Sequence, residues 1–487
     1  MKKFVFVVLI VLCMPLFLFV GCEQSDKNLN EYDIVAKFDD ENMVLSCEQD
    51  VRYFNNTANV LTNLSFYLYA NSFDVDQKPV STAHINKAYP NGQSYGNITF
   101  NSVIVEGGQA DYEIASPNAN ILTVELEKEL FPNECVEICM DYEISLANIN
   151  HRLGYGDNTI NFGNFFPIAC VYEDGVGFVE NDFASNGDPF YSDVSDFNIE
   201  LTFSSKYKVA ATGNLTNETD YGDNKQVCFS AKKVRDFCFV LSKRFEVISQ
   251  EVDGVKVSYF YYEDENAQQH LQTSVDALKT FETLFGDYPY KQLSIVKTNF
   301  CFGGMEYPNL VMISDEIDDV QTFDYVIVHE VAHQWWYSVV GNNQFSESWV
   351  DESLTEFSTF LFYEKNEQYG IDYDILIENA TATYTNFVKI YSTIYGQVDQ
   401  SMNRTLTEYD TEPEYVNCVY TKGVLMYDSL KGFLGKQKIL KCMKDYFKAY
   451  AFQNVSGTEL INSFSKSAHR NLKPFLDSWL GGEVVIN

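Results

Sequence analysis

The sequence predicts a multidomain chain, with an antiparallel β-rich domain first and a mainly helical α/β domain after it. Three observations carry that expectation. The chain has 487 residues, more than one ordinary core accommodates, and 46% of them are hydrophobic, which excludes wholesale disorder. It holds 33 Tyr and 38 Phe, side chains that suit the pleated, half-buried surfaces of strands. The apolar period changes from two to that of a helix near residue 265.

The elements follow in order. Residues 1–22 form an export signal: Lys2 and Lys3, an almost wholly apolar run from Phe4 to Val20, then Gly21-Cys22 and the polar Glu23-Gln24-Ser25-Asp26-Lys27. Residues 23–32 are polar and expected to act as a tether. Residues 33–250 make the β-rich domain. Leu64, Phe66, Leu68 and Ala70 alternate with polar or outward positions, as do Leu122, Val124 and Leu126, and Phe197, Ile199, Leu201 and Phe203. Asn/Gly/Asp clusters such as Tyr155-Gly156-Asp157-Asn158 punctuate these runs, as expected of half-buried antiparallel strands. Residues 251–487 make the second domain. Glu265 to Leu284 reads as a helix with Leu271, Val275, Leu278 and Phe281 on one side. Leu293 to Val296 reads as a strand, 322–340 and 352–366 as helices, and Thr421 to Leu480 as largely helical.

Charge and cysteine count narrow the function. The formal charge is −35; removal of residues 1–21 deletes two lysines and no acid, giving −35 − 2 = −37. Such a surface repels nucleic acid, so no nucleic-acid partner is expected. Of eleven Cys, Cys13 lies in the signal and Cys22 at its end. The nine others lack zinc-finger spacing and are expected to be mostly buried free thiols, with one or two bridges at most.

His329-Glu330-Val331-Ala332-His333 is the decisive motif. Residues four apart on a helix stand one above the other, so two imidazoles so placed can bind one Zn²⁺. Glu330 then projects beside them, where it can take a proton from a water activated by the metal. The chain has only six His, and two of them at this spacing around a Glu is a chance event of about one in a hundred or less. A catalytic zinc needs a third protein ligand, and Glu352 in Trp349-Val350-Asp351-Glu352-Ser353-Leu354-Thr355-Glu356 is the best candidate. Eighteen residues separate it from His333, enough to turn a second helix back against the first. Glu356, one turn further on, either accepts from the free ring nitrogen of a ligating His or stands as an exposed helix carboxylate.

These residues carry a resemblance. His-Glu-x-x-His, eighteen residues, then Glu is similar to the ligand spacing of the M1 metallopeptidases, the gluzincin aminopeptidases. Gly303-Gly304-Met305-Glu306-Tyr307 resembles that family's Gly-x-Met-Glu-Asn, with Tyr307 in place of Asn. Phe285-Gly286-Asp287-Tyr288-Pro289-Tyr290 and Tyr420-Thr421-Lys422-Gly423 resemble two further family elements. The preceding Phe19-Val20-Gly21-Cys22 resembles a bacterial lipobox.

The resemblance implies a β-sandwich-like domain followed by a thermolysin-like catalytic domain with one Zn²⁺ per chain on His329, His333 and Glu352. It implies that Glu330 is the general base, and that Tyr420 helps stabilise the oxyanion; without it Tyr420 is one packing tyrosine among 33. Glu306 would select the free α-amine of a peptide, and Gly303, Gly304 and Met305 would pair with the substrate backbone. The family adds a Gln from the β-domain near that amine; Asn161 and Asn164 lie in the corresponding stretch, and neither is assigned. The expected function is an aminopeptidase acting on peptides with a free N-terminus. A zinc endopeptidase or epoxide hydrolase, or a non-catalytic peptide-binding lipoprotein on the same scaffold, are the competing readings. A lipid on Cys22 would attach the chain to the outer face of a bacterial cell membrane; otherwise it is secreted.

Overall fold

The computed structural model of the chain describes residues 28–115 and 119–486. The expected signal with Cys22, and residues 23–27 of the expected tether, lie outside the described residues. The end of that tether is a correction: strand Asn30–Asp39 already begins within it. Tyr32 is the reason. Its ring is buried and stacked on Phe197 with centroids 4.8 Å apart, and its hydroxyl accepts the Ala169 N–H at 3.1 Å. Burying one aromatic ring outweighs the solvation of its polar neighbours, which alternate outward on the same strand.

The β-rich domain is built on an eight-stranded sheet that faces two four-stranded sheets. The large sheet runs Asn214–Asp220, Asn224–Val234, Ser195–Ser204, Asn30–Asp39, Val44–Phe54, Cys135–Ser145, Asn97–Val105, Gly108–Gln109. Phe197, Ile199, Leu201 and Phe203 all point inward, as their alternation predicts. One pairing departs from the antiparallel expectation: Asn30–Asp39 runs parallel to Ser195–Ser204, with Ile34 beside Ile199. Those two strands are joined by most of the domain, so no hairpin constrains their direction. The run from Leu64 ends as a strand at Tyr67, and Ala70 falls in a 3₁₀ turn, Tyr69–Phe73. Phe162, Phe165, Phe166 and Phe239 fill the space between the layers in stacked and edge-on contacts. Such pairs each contribute about 0.5–1.5 kcal/mol beyond their buried area.

The second domain starts on a five-stranded sheet ordered Glu246–Val252, Val255–Tyr261, Gln292–Thr298, Leu310–Ser314, Gly304–Met305. Its first strand straddles the expected 250/251 boundary. The three central strands are parallel, and helix Ala267–Phe285 makes the crossover between two of them. Gly304–Met305 is the antiparallel edge strand. Helix Val320–Ala332 packs on this sheet and Glu352–Lys365 packs on that helix, and Lys422–Leu434, Lys436–Tyr450, Gly457–Ala468 and Lys473–Leu480 complete the helical part.

Two helices differ from expectation. The first stops at Ala332 instead of running to 340. Asp319 caps its start by accepting the Thr322 N–H at 2.8 Å; at its end Trp335 and Trp336 turn into the core against Phe281 and Phe285. Burying both indoles on one side requires the chain to leave the helical path. The second, Tyr373–Tyr395, has no counterpart among the expected elements. It buries only Tyr373, Ala380, Tyr384 and Phe387 and leaves Ile390 and Ile394 in solvent, so its apolar residues do not form one stripe. Among the described residues no helix is long and apolar enough to cross a membrane.

The nine cysteines from Cys47 to Cys442 are all free. Six are buried, Cys135 and Cys139 are exposed and Cys228 is half-buried.

Arg235 joins the two domains. It is 1% exposed and donates to the carbonyls of Ser192, Tyr337 and Gln453 and to the Asn454 side chain. Together these acceptors offset the cost of burying the guanidinium.

Candidate active site

Val320–Ala332 and Glu352–Lys365 bring the three candidate ligands together. Nε2 of His329 lies 3.2 Å from Nε2 of His333, and a single oxygen of Glu352 lies 3.3 and 3.1 Å from the two. Edges of that length match a tetrahedral ion with ligand bonds of about 2.0–2.1 Å, whose ligand atoms stand about 3.3 Å apart. The outer nitrogens are already committed. His329 Nδ1 meets Glu356 at 2.9 Å, and His333 Nδ1 meets the Trp336 carbonyl at 2.9 Å and the Thr355 hydroxyl at 3.1 Å. With Nδ1–H donated outward, each Nε2 presents its lone pair inward, as a metal requires. The residues present therefore fit zinc. Glu356 stands as the carboxylate partner of His329, itself held by the Tyr325 hydroxyl, and not as a free helix carboxylate.

The electrostatics follow from burial. It opposes charge on His329, but hydrogen bonds donated by the ring to Glu352 and Glu356 outweigh it and raise the imidazole to about 10, so a metal must displace the Nε2 proton to reach that lone pair. Burial would raise Glu352, and the two histidines hold it low instead. Burial pushes Glu330 up to about 7 against the pull of His329 and His333. One Glu330 oxygen has no protein partner. A Cβ on Gly304 would lie 2.3 Å from the other, so only glycine lets the edge strand pass Glu330.

Tyr420 lies in a π-helical turn, Asn417–Thr421, that opens the next helix. Its ring is roughly parallel to that of His329, with centroids 5.7 Å apart. Burial and the Glu352 charge hold its phenol well above its ordinary value, so it remains a donor. Lys422 does not enter the site. It donates to the carbonyls of Gln400 at 2.7 Å and Trp479 at 3.1 Å and so ties the turn to the last helix.

Glu306, 3% exposed, ends the edge strand's loop beside the metal cluster. One oxygen each of Asp188, Glu306 and Glu352 falls within 4.8 Å of the others. Burial, then Asp188, pushes the Glu306 carboxyl well above its usual range. Such a crowd of acids calls for a cation. Asp188, from the β-rich domain, is the residue that sequence reasoning missed. Arg152 pairs with it, stands over Phe302 and donates to Met305 Sδ at 3.0 Å. Asn161 instead donates to the carbonyls of His151 and Asn299, and Asn164 pairs with Asp236 and accepts the Tyr307 hydroxyl at 2.6 Å, so neither faces Glu306. Tyr307, the departure from the family pattern, is thus a strut between domains, and Gly163 makes room for it. No local spacing marks Asp188, because its partner Arg152 is 36 residues away and its carboxylate neighbours come from the other domain.

A β-rich layer packed on a helical half thus brings two histidines and a glutamate around one point that could hold a metal ion, with a buried glutamate beside them. Residues 269–479 match the model of the Peptidase family M1 domain. Human endoplasmic reticulum aminopeptidase 2 is 25% identical over 237 residues, 44% of this chain and 23% of that protein. Aminopeptidase N of Lactococcus lactis subsp. lactis is 22% identical over 227 residues, 43% of this chain and 26% of that protein. The chain thus spans about a quarter of the length of these relatives. The crystal structure of the M1 zinc metallopeptidase from Deinococcus radiodurans superposes with a TM-score of 0.67 at 15% identity, covering 94% of this chain and 95% of that one. Its likeness establishes the two-domain fold.

Proposed function

We propose that the chain is a zinc-dependent aminopeptidase that hydrolyses the first peptide bond of peptides with a free N-terminus. The observation that carries this reading is the buried Glu306–Asp188 pair beside the His329–His333–Glu352 triangle. A carboxylate at fixed distance from the reacting centre selects a protonated amine, because leaving either charge unpaired in that setting is costly. The aminopeptidase names of the relatives support the same class.

His329, His333 and Glu352 would hold one Zn²⁺ per chain, which when bound polarises a carbonyl and acidifies a water. Glu330 takes the proton of the attacking water on its unpartnered oxygen and passes it to the leaving amine. Tyr420 donates its hydroxyl hydrogen to the carbonyl oxygen as charge develops there. Gly303, Gly304 and Met305 offer the sheet's outer edge to the substrate backbone, which adds as a further strand. Glu306, beside an Asp188 already paired with Arg152, holds the ammonium and so limits cleavage to the terminal bond.

The lipobox-like Cys22 supports lipid attachment to the outer face of a bacterial cell membrane, and the charge of −35 supports the absence of a nucleic-acid partner.

The test is release of chromophore from aminoacyl-anilides and their N-acetylated counterparts, with and without a chelator. Chelator-sensitive cleavage of the free-amine set alone is expected. Cleavage of both sets would point to an endopeptidase, and cleavage of neither by a zinc-loaded protein to the binding-protein reading.

A further inference from the structure

The loop between His333 and Glu352 does more than reverse the chain. It carries Gln344, which is 1% exposed and reaches Glu306. Its Nε2 lies 2.8 Å from Glu306 Oε1 and 2.8 Å from Asp351 Oδ2. Both partners are carboxylates, so the nitrogen must be the atom facing them and the amide orientation is settled by chemistry. Among the described residues Gln344 is the side chain that hydrogen-bonds Glu306. Asp351 is in turn fixed by Asn342 Nδ2 at 3.1 Å and precedes the candidate ligand Glu352. The loop backbone is clamped from both sides: the Gln344 N–H donates to the Phe190 carbonyl of the β-rich domain at 3.3 Å, and the Leu406 N–H to the Phe345 carbonyl at 2.9 Å. Gln344 Oε1 is buried and has no partner in the protein, an open acceptor next to an anionic group.

We infer that Gln344 is the positioning residue of the amine site, holding Glu306 at a fixed distance from the metal centre through the Asp351–Gln344–Glu306 chain. The inference rests on the aminopeptidase reading above. A neutral amide suits this place. It separates two carboxylates by giving each one N–H, where a cation would satisfy Glu306 outright and leave it no affinity for the substrate ammonium. Pre-fixing the carboxylate also removes the cost of ordering it when the substrate arrives.

The test uses the zinc-loaded full chain with the variants Q344M, which removes the N–H groups at similar volume, and Q344E, which keeps the shape and replaces the donor by a third carboxylate. Calorimetric binding of leucine amide and of N-acetyl-leucine amide is measured beside steady-state anilide hydrolysis, zinc content and melting midpoint. Both variants are expected to lose affinity for the free amine by about tenfold or more, and to raise KM far more than they lower kcat. Affinity for the acetylated compound and zinc content should stay near the parent values, while the melting midpoint falls because two buried carboxylates lose their donor. E306Q separates the two levels. Absence of leucine amide binding by the parent, or unchanged affinity in E306Q, overturns the amine-anchor reading together with this inference. Loss in E306Q with parent-like affinity in Q344M and Q344E overturns Gln344 alone. Equal loss for free and acetylated compounds in the Gln344 variants, or loss that tracks a fall in zinc content, also overturns it, because Gln344 would then be packing only.

Discussion

The metal cluster and the amine cluster touch, yet they are built in opposite ways. His329, Glu330, His333, Glu352 and Glu356 come from two helices of one domain, at separations set by helix geometry. Both ligand histidines have their outer nitrogens hydrogen-bonded, so the rings cannot turn. Glu306, Asp188 and Gln344 come from an edge-strand loop, a β-domain turn and the loop between the two helices, and Gln344 keeps an unpartnered oxygen. One cluster is set within a single domain. The other is assembled across the domain boundary and a loop. Chemistry and selectivity should therefore fail separately.

The sharpest test of that separation is E330Q. Losing the proton carrier should lower kcat by about 10²–10⁴-fold, with zinc content and leucine amide affinity unchanged. Y420F should lower kcat by about 10²–10³-fold with little change in KM, since its hydroxyl acts where charge develops. Parent-like kcat in Y420F would reduce Tyr420 to a packing ring against His329. E356Q addresses the support of the metal helix: zinc affinity, measured by competition with a chelator, should fall by about 10–100-fold while the fold persists. The smallest effect concerns the domain seam. Burial pushes Asp236 up to about 8, above the ordinary carboxylate value of about 4. Between those values the folded chain keeps a proton that the unfolded chain releases. This contribution is fully present below about pH 4 and lost as the pH rises towards 8. In D236N the melting midpoint should fall less between about pH 5 and pH 8 than it does in the parent.

The same contrast explains what was legible in the sequence. His329, Glu330 and His333 declare themselves because a helix converts a spacing of four into adjacency. Glu352 and Glu356 follow from one turn back, and Phe197 to Phe203 and Leu271 to Phe281 reveal their faces by period alone. Asp188 and Gln344 obey no period. Their partners lie across the domain boundary or across a loop, and a lone Asp or Gln in a turn is otherwise a solvated residue. The end of the metal helix at Ala332 was hidden for a related reason. Trp335 and Trp336 fit a helical pattern, and only the three-dimensional position of Phe281 and Phe285 decides where the indoles go. Helix Tyr373–Tyr395 escaped because it leaves most of its surface unburied.

Arg235 gives the two-domain arrangement a further meaning. The carbonyl of Tyr337, between the metal helix and the Gln344 loop, and that of Gln453, at the far end of the helical half, both accept from this one β-domain side chain. Gly341 is where the guanidinium passes: a Cβ there would lie 2.2 Å from its central carbon. The helical half is thus not a portable module. Excised or grafted onto another scaffold, it would keep both histidines in register but lose the brace that sets the loop beyond them, so the proposed activity would travel only with the pair of domains, as one inheritable unit.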